Sequence, residues 1–587
     1  GIFAENTTGL NVADNIAGLV LADAIRVEGG LNSTITGNLV GLSYGDGIAL
    51  DGATGTTTVS DNKVLLVGGN GISSTNGADT VNIDGNEVAI AGENGIYIDG
   101  GAYVNITNNS ISYVGFGLYD WVDTLSSEGL GALFDGDYSV RTPKIDTDLI
   151  AFPWADGDGI HVENAGDVLV DENTIAAVGG DGVEVDDSGA TTVTNNNVFA
   201  TGIDWTSYDF ADLSAYFSGL DLIDDVLIPA EDALLGDEDL AELVFDLLPE
   251  PSSIEWDSFG GNGIYVHGNL SDDVVISDNM VALTAGDGIN TSGYVNVDVS
   301  DNIVSIAGDD GIDVTGAYSV TISENTVEDS DDNGIRVAQS LGAIVSENTV
   351  VSSGGNGIDA QYNAFTSITG NDVNYSDENG IIAQTGNAVV ISDNEVARSG
   401  VDGIAVRSIS DVDITGNKVK RSGDEGVDVS GANTADIIDN KVKSTDDNGI
   451  KVSDSSWVKI AENKVVNAGD DGIDVDDVTS RRGFGWNVQI TDNTVSNSGD
   501  DGIDVADSRN VYINGNVVTD SDSSGMELSD INIVVATNNE IYASGQEGID
   551  GDDIFSAFLG GNTIAGADSD GIELDDVTFA TLVGNTI

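Results

Sequence analysis

Apolar and polar residues alternate in short stretches along the chain, as in Gly311-Ile312-Asp313-Val314 and Val320-Thr321-Ile322. Such alternation predicts short β-strands with one buried face. The stretches are locked to a period. A unit written G-I-x-V, then about eight residues, then I-x-x-N-x-V places its asparagine at Asn279, Asn302, Asn325, Asn348, Asn371, Asn394, Asn417, Asn440 and Asn463, each 23 residues after the last. Asn15, Asn38, Asn62, Asn86 and Asn109 precede them, Asn173 and Asn196 lie between, and Asn493, Asn516, Asn539, Asn562 and Asn585 follow, 21 positions in all. A fixed period of this size predicts a solenoid. Each unit is expected to form one coil with strands at G-I-x-V, at the isoleucine before each asparagine and just after it. Glycine or asparagine between strands supplies left-handed turns, and the asparagines stack inward as a hydrogen-bonded ladder.

The unit resembles that of right-handed parallel β-helix proteins, namely pectate lyases, polygalacturonases, alginate epimerases and phage tailspikes, over roughly five-sixths of the chain. The resemblance implies an all-β, right-handed parallel β-helix with three strands per coil and about 21 coils, residues 1–587 forming one solenoid. At about 4.8 Å per coil the expected rod is on the order of 100 Å long. Activity does not follow from the resemblance, because structural and catalytic proteins share the fold.

Three interruptions break the period. Asn109 and Asn173 are 64 residues apart, which predicts an insertion at about 116–156; Asn196 and Asn279 are 83 apart, which predicts another at about 201–260. A shorter one, which lengthens its coil by seven residues, falls around 478–486. Within the second, Phe210, Leu213, Phe217 and Leu220, then Leu240, Leu243, Val244, Leu247 and Leu248, have helical spacing, and Pro249 ends the run. Two amphipathic helices are expected, as a cover for the barrel wall or as a docking or lid element. Gly1-Ile2 stands at a G-I position and Ile587 lies just past a ladder asparagine. Both ends therefore fall in mid-coil, which predicts further coils or copies of the chain stacked end to end.

Composition narrows the function. Asp and Glu number 102 against 18 Lys and Arg, a net charge of −84. That charge excludes nucleic acid and anionic membrane as partners. Cysteine is absent, which excludes thiolate chemistry and disulfides, and no apolar run is long enough for membrane insertion. An extracellular or cell-surface setting rich in salt or divalent cations is expected, where carboxylates are screened or bound.

Three groups of residues carry candidate chemistry. The outward residue of G-I-x-V reads Asp313, Arg336, Asp359 and later Asp428, Lys451, Asp474, Asp504, Glu527, Asp550, Glu573. From Asp474 onward no cation intervenes, and with Asp470, Asp471, Asp500 and Asp501 this stripe is expected to bind Ca2+ or to remain a solvated face. Lys418, Lys420, Lys441, Lys443 and Lys464 follow the ladder asparagine and should stack as a basic strip, with Arg421, Arg481, Arg482, Phe484 and Trp486 nearby. The strip suits an acidic polysaccharide or the acidic flank of another copy, or it only softens local repulsion. Catalytic candidates are Asp156, Asp158, His161, His267 and Tyr265, with Tyr97, beside the long insertions. Asp156-Gly-Asp158-Gly-Ile160-His161 is similar to the aspartate-rich segment of polygalacturonases, but such strings recur in coil after coil, so the repeat itself explains them. The reading is an extracellular structural or adhesive rod, filament- or surface-layer-forming and stabilised by divalent cations; the alternative is a lyase, hydrolase or epimerase acting on uronate-type polymers.

Overall fold

The structure, a computed structural model, describes residues 1–115, 157–202, 261–268, 272–479 and 485–587. Residues 116–156 and 203–260, with the expected helices, lie outside the described residues, as do Arg481, Arg482 and Phe484. The chain forms two compact units. The first takes in residues 1–186, 197–265 and 284–286, the second residues 187–196, 266–283 and 287–587.

Both units are built the same way, because the same alternation recurs in both. In the first, the strands Ile72–Thr75, Thr80–Asp84 and Glu87–Val88 make one coil, which pairs in parallel with Ile96–Asp99, Tyr103–Thr107 and Ser110–Val114. In the second, Ile312–Thr315, Ser319–Ser323 and Thr326–Ser330 pair with Ile335–Ala338, Gly342–Ser346 and Thr349–Ser353. The register there is Ile312 on Ile335, Val320 on Ala343 and Val327 on Val350, one repeat apart. The first two strands of a coil join one parallel sheet and the third joins another. Three strands per coil, about 23 residues per turn and about 21 turns account for the all-β fold, and the described residues contain no helix. Ile312, Val314 and Ile335 are fully buried, so each coil adds its apolar residues to a stack shared only with its neighbours.

The asparagine ladder is inward and fully bonded. The backbone N–H and side-chain amide of Asn302 both donate to Asn325 Oδ1 at 3.0 Å, and the same amide donates to the Ile276 and Ser300 carbonyls. Each bond set thus offsets the cost of burying an amide at the corner of the coil. Left-handed corners do recur, but other residues often hold them: Asp301 (φ 57°) and Glu324 (φ 59°) before the ladder, Ile306 (φ 57°) and Asp329 (φ 54°) within the third strand, Gln339 (φ 57°) and Tyr362 (φ 56°) after the first. Glycines hold other such corners, as at Gly316 (φ 75°) and Gly370 (φ 72°), whereas the glycine of G-I meets a demand for close approach. A Cβ on Gly311 would stand 2.2 Å from Val327 Cγ1 and 2.6 Å from the Gly334 carbonyl, so close approach requires glycine there.

Candidate cation-binding face and histidine cluster

Parallel register places the outward residues of successive coils side by side. Asp474 stands opposite Asp504, Asp504 opposite Glu527, Glu527 opposite Asp550 and Asp550 opposite Glu573. Upstream, cations interleave. Arg336 lies in register between Asp313 and Asp359 and holds Asp313 at 2.9 Å. Lys451 lies between Asp428 and Asp474, yet its ammonium reaches Asp474 at 3.5 Å and Glu425 at 3.3 Å, while Asp428 faces Arg407 at 3.9 Å.

Beyond Lys451 the carboxylates crowd together. Asp470, Asp471 and Asp500 each bring an oxygen within 4.8 Å of the others, and so do Asp471, Asp474 and Asp504. Burial first, and then the charges of Asp471 and Asp474, push the Asp504 carboxyl up to about 8. Burial, with Asp470 and Asp474, pushes Asp471 up to about 7. The Asp504 Oδ1 is enclosed and meets no hydrogen-bond donor. Burial also raises Asp501, which hydrogen-bonds Glu527. Asp550 and Glu573, the latter an exposed residue, continue the column but belong to neither of these groups of three.

A second ladder, absent from the sequence reading, runs through the residue immediately before each G-I. In the second unit Asp310 Oδ1 accepts the Asn333 backbone N–H at 2.9 Å, Asn333 Oδ1 accepts that of Asn356 at 3.1 Å, and Asn356 Oδ1 that of Asn379 at 3.1 Å. Asp471 likewise accepts from Asp501 at 2.9 Å, and Asp501 from Ser524 at 2.6 Å. In the first unit Asn94 accepts from Asp158, and Asp158 from Asp181, each at 2.8 Å. Asp471 and Asp501 therefore each commit one oxygen to the backbone, and the Asp501 carboxyl also hydrogen-bonds Glu527. The aspartate preceding G-I in the strings at Asp158, Asp310, Asp471 and Asp501 is such a backbone acceptor, which gives these repeated aspartates a structural role.

The basic residues do stack. Lys418 pairs in register with Lys441, Lys441 with Lys464, and Lys420 with Lys443. At one end of the strip Glu395 receives both Lys420 and Lys418, the latter at 3.5 Å, and the Lys420 contact foremost holds its carboxyl below the usual range. Arg421 is an exposed residue at a left-handed corner, φ 61°. Trp486 stacks on Tyr512 with centroids 5.4 Å apart.

Among the catalytic candidates, Asp158 and His161 come together with Glu184, a residue the sequence reading leaves out. His161 Nδ1 lies 2.9 Å from Asp158 Oδ2 and 2.6 Å from Glu184 Oε2. Glu184 occupies the same outward position one coil on, opposite His161, so register supplies it. On the other side Tyr97 stands opposite His161, its ring centroid 5.4 Å away and its hydroxyl on Glu163. Burial disfavours a charged imidazole here, but the Asp158 and Glu184 carboxylates, which accept from a protonated ring, outweigh it and push His161 up to about 10. Tyr265 is raised by burial and then by Asp186, Asp181 and Glu184. His267 bonds Ser292 at 2.8 Å through its Nδ1, a strand-face contact rather than part of the His161 group.

The family described as "Right handed beta helix region" matches residues 1–129, 46–213, 250–373, 359–483 and 478–587. The chain belongs to the right-handed β-helix family. No curated protein matches its sequence. Solved structures of similar fold include a tailspike protein of an Escherichia coli O157:H7 bacteriophage, CAB120, at 12% identity and TM-score 0.30 over 47% of this chain and 38% of that one. A periplasmic alginate epimerase is similar at 15% identity and TM-score 0.29, over 59% of this chain and 84% of that one. An α-1,3-glucanase catalytic unit from Streptomyces thermodiastaticus is similar at 14% and TM-score 0.25, over 56% and 60%. The chain thus spans well under half the length of that tailspike. For a right-handed β-helix the parallel register is what aligns like residues, and here it builds two chemically distinct places: a carboxylate face around Asp471 and Asp504, and an imidazole clamped by carboxylates at His161.

Proposed function

We propose that this β-helix is an extracellular structural or adhesive element whose acidic face is held together by bound divalent cations, calcium foremost. The observation that carries the reading is the unbroken register Asp474, Asp504, Glu527, Asp550, Glu573, with Asp470, Asp471, Asp500 and Asp501 alongside. Like charges one coil apart repel, and hard cations with oxygen ligands remove that repulsion. A cation that binds only the folded state stabilises it by mass action. Such a chain works by persisting as a surface, and the strip Lys418, Lys420, Lys441, Lys443 and Lys464 provides the contact for an acidic polysaccharide or the acidic flank of another copy. Thermal unfolding in chelator and in millimolar calcium, at matched ionic strength, tests it: a higher midpoint with calcium supports the reading, and superimposable curves refute it.

A second reading has its own observation. His161, held between Asp158 and Glu184 beside Tyr97, is a proton-handling group on an outward strand face, the kind of constellation that acid–base attack on a uronate-type polymer needs. Incubating the full chain with polymannuronate and polygalacturonate, and following unsaturated ends, reducing ends and sugar epimers, decides it. A product that His161→Gln abolishes favours a lyase, hydrolase or epimerase; no product favours the scaffold.

A further inference from the structure

We infer that Asp158, His161 and Glu184 form a binding site for one first-row transition-metal ion of the zinc class, separate from the calcium face. Three donors of mixed type converge there. A single ring nitrogen, Nδ1, faces Asp158 Oδ2 at 2.9 Å and Glu184 Oε2 at 2.6 Å, and one oxygen or nitrogen from each residue lies within 4.8 Å of the other two. Nδ1 carries at most one proton, so it cannot donate a full hydrogen bond to each carboxylate. In the tetrahedral arrangement usual for zinc, bonds of about 2.1 Å set donors about 3.4 Å apart, so the side chains need to open by less than about 1 Å to admit an ion.

The donors are also fixed and reachable. Asp158 Oδ1 is engaged by the Asp181 backbone N–H at 2.8 Å and the Asp158 N–H by Asn94 Oδ1 at 2.8 Å, which leaves Oδ2 aimed at the imidazole. Neighbouring strands hold His161 opposite Glu184 and Tyr97. Supporting bonds of this kind orient metal ligands. The three side chains are 12 to 21% exposed, enough for an ion to enter from solvent with water completing its shell. Imidazole in the set selects zinc, cobalt, nickel or copper over calcium and magnesium, which prefer all-oxygen sites. The all-carboxylate groups around Asp471 lack that discrimination.

The selectivity provides the test. The full chain, stripped with chelator, is titrated with Co2+ in excess calcium while visible absorption is read, and the zinc-loaded protein is examined by X-ray absorption. One calcium-resistant cobalt per chain and one imidazole nitrogen on the zinc are expected. His161→Gln should abolish the site and Glu184→Gln should weaken it at least about tenfold, whereas His267→Gln should leave it intact. Binding that survives His161→Gln, or zinc with an all-oxygen shell in the wild-type chain, overturns the inference. Because the readout is metal rather than product, its failure is distinct from failure of the enzymatic reading.

Discussion

Asp310 Oδ1 accepts two hydrogen bonds from one residue, the backbone N–H of Asn333 at 2.9 Å and its side-chain amide at 2.8 Å. One coil back, Asp287 Oδ1 accepts the Asp310 backbone N–H at 3.0 Å. The ladder position thus takes either an amide or a carboxyl, with Oδ1 as the acceptor in each case.

A pH dependence follows. Burial, then Asp287 and Asp313, push Asp310 up to about 8 despite the Asn333 amide. Its unfolded value lies near 3.9, so between about pH 4 and 8 the fold holds a proton that the unfolded chain lacks. That group's contribution is most favourable below the lower value and declines as pH rises through the window. Asp310→Asn mimics the protonated state and matches Asn333, Asn356 and Asn379 at the equivalent position. The variant should unfold at a higher temperature than wild type at about pH 8, and the gap should close toward pH 4. Thermal melts across that range check both parts.

The inward asparagines predict a larger, pH-independent loss. Asn348 receives the Asn325 backbone and amide donors, and donates its own amide to Asn371 Oδ1 and the Ile322 carbonyl at 3.0 Å. Asn348→Ala strands several of these groups in the core and should cost about 3 kcal/mol or more, since each buried unsatisfied polar group costs roughly 1–3 kcal/mol. Urea denaturation followed by circular dichroism measures it.

Crowding at the G-I glycine predicts that Gly334→Ala destabilises by about 1–3 kcal/mol, the usual cost of overpacking. Its Cβ would meet Val350 Cγ1 at 2.2 Å and the Gly357 carbonyl at 2.7 Å. Adding Val350→Ala should fail to restore stability, because the carbonyl remains and a cavity is opened. Full recovery in the double variant would contradict a backbone clash.

Replacing Lys418, Lys420, Lys441, Lys443 and Lys464 with glutamate should leave the fold intact while abolishing salt-sensitive attachment to an anionic polysaccharide. Exposed charges act over only about 8 to 10 Å at moderate salt. Affinity chromatography on immobilised polyuronate at low and high salt reports it. Retention unchanged in the variant would reduce the strip to a solvated face.

The period made the coil, the inward asparagines and the outward acidic column legible in the sequence, because a 23-residue step fixes register once strands are parallel. Extending that column upstream would have put Glu184 beside His161 as well. The second ladder was harder to see. Its position is held by Asp, Asn, Glu and Ser alike, for instance Asp402, Asn448, Glu425 and Ser524, so no single residue type marks it. What unites them is a backbone N–H to be capped one coil away, and only coordinates display that. The crowding at the G-I glycine was hidden for a similar reason: its need for space comes from Val327 and the Gly334 carbonyl, which are remote in sequence from Gly311.

Hydrogen exchange resolved by strand, with and without calcium, tests the central claim most directly. Calcium should slow exchange in Ile473–Val475, Ile503–Val505 and Met526–Ser529, which carry the crowded carboxylates, and have little effect on Ile335–Ala338 and Ile358–Gln361, where Arg336 already neutralises its neighbours. Equal protection in calcium and in chelator at matched ionic strength, or a change confined to the arginine-bearing coils, would contradict a cation-stabilised acidic face.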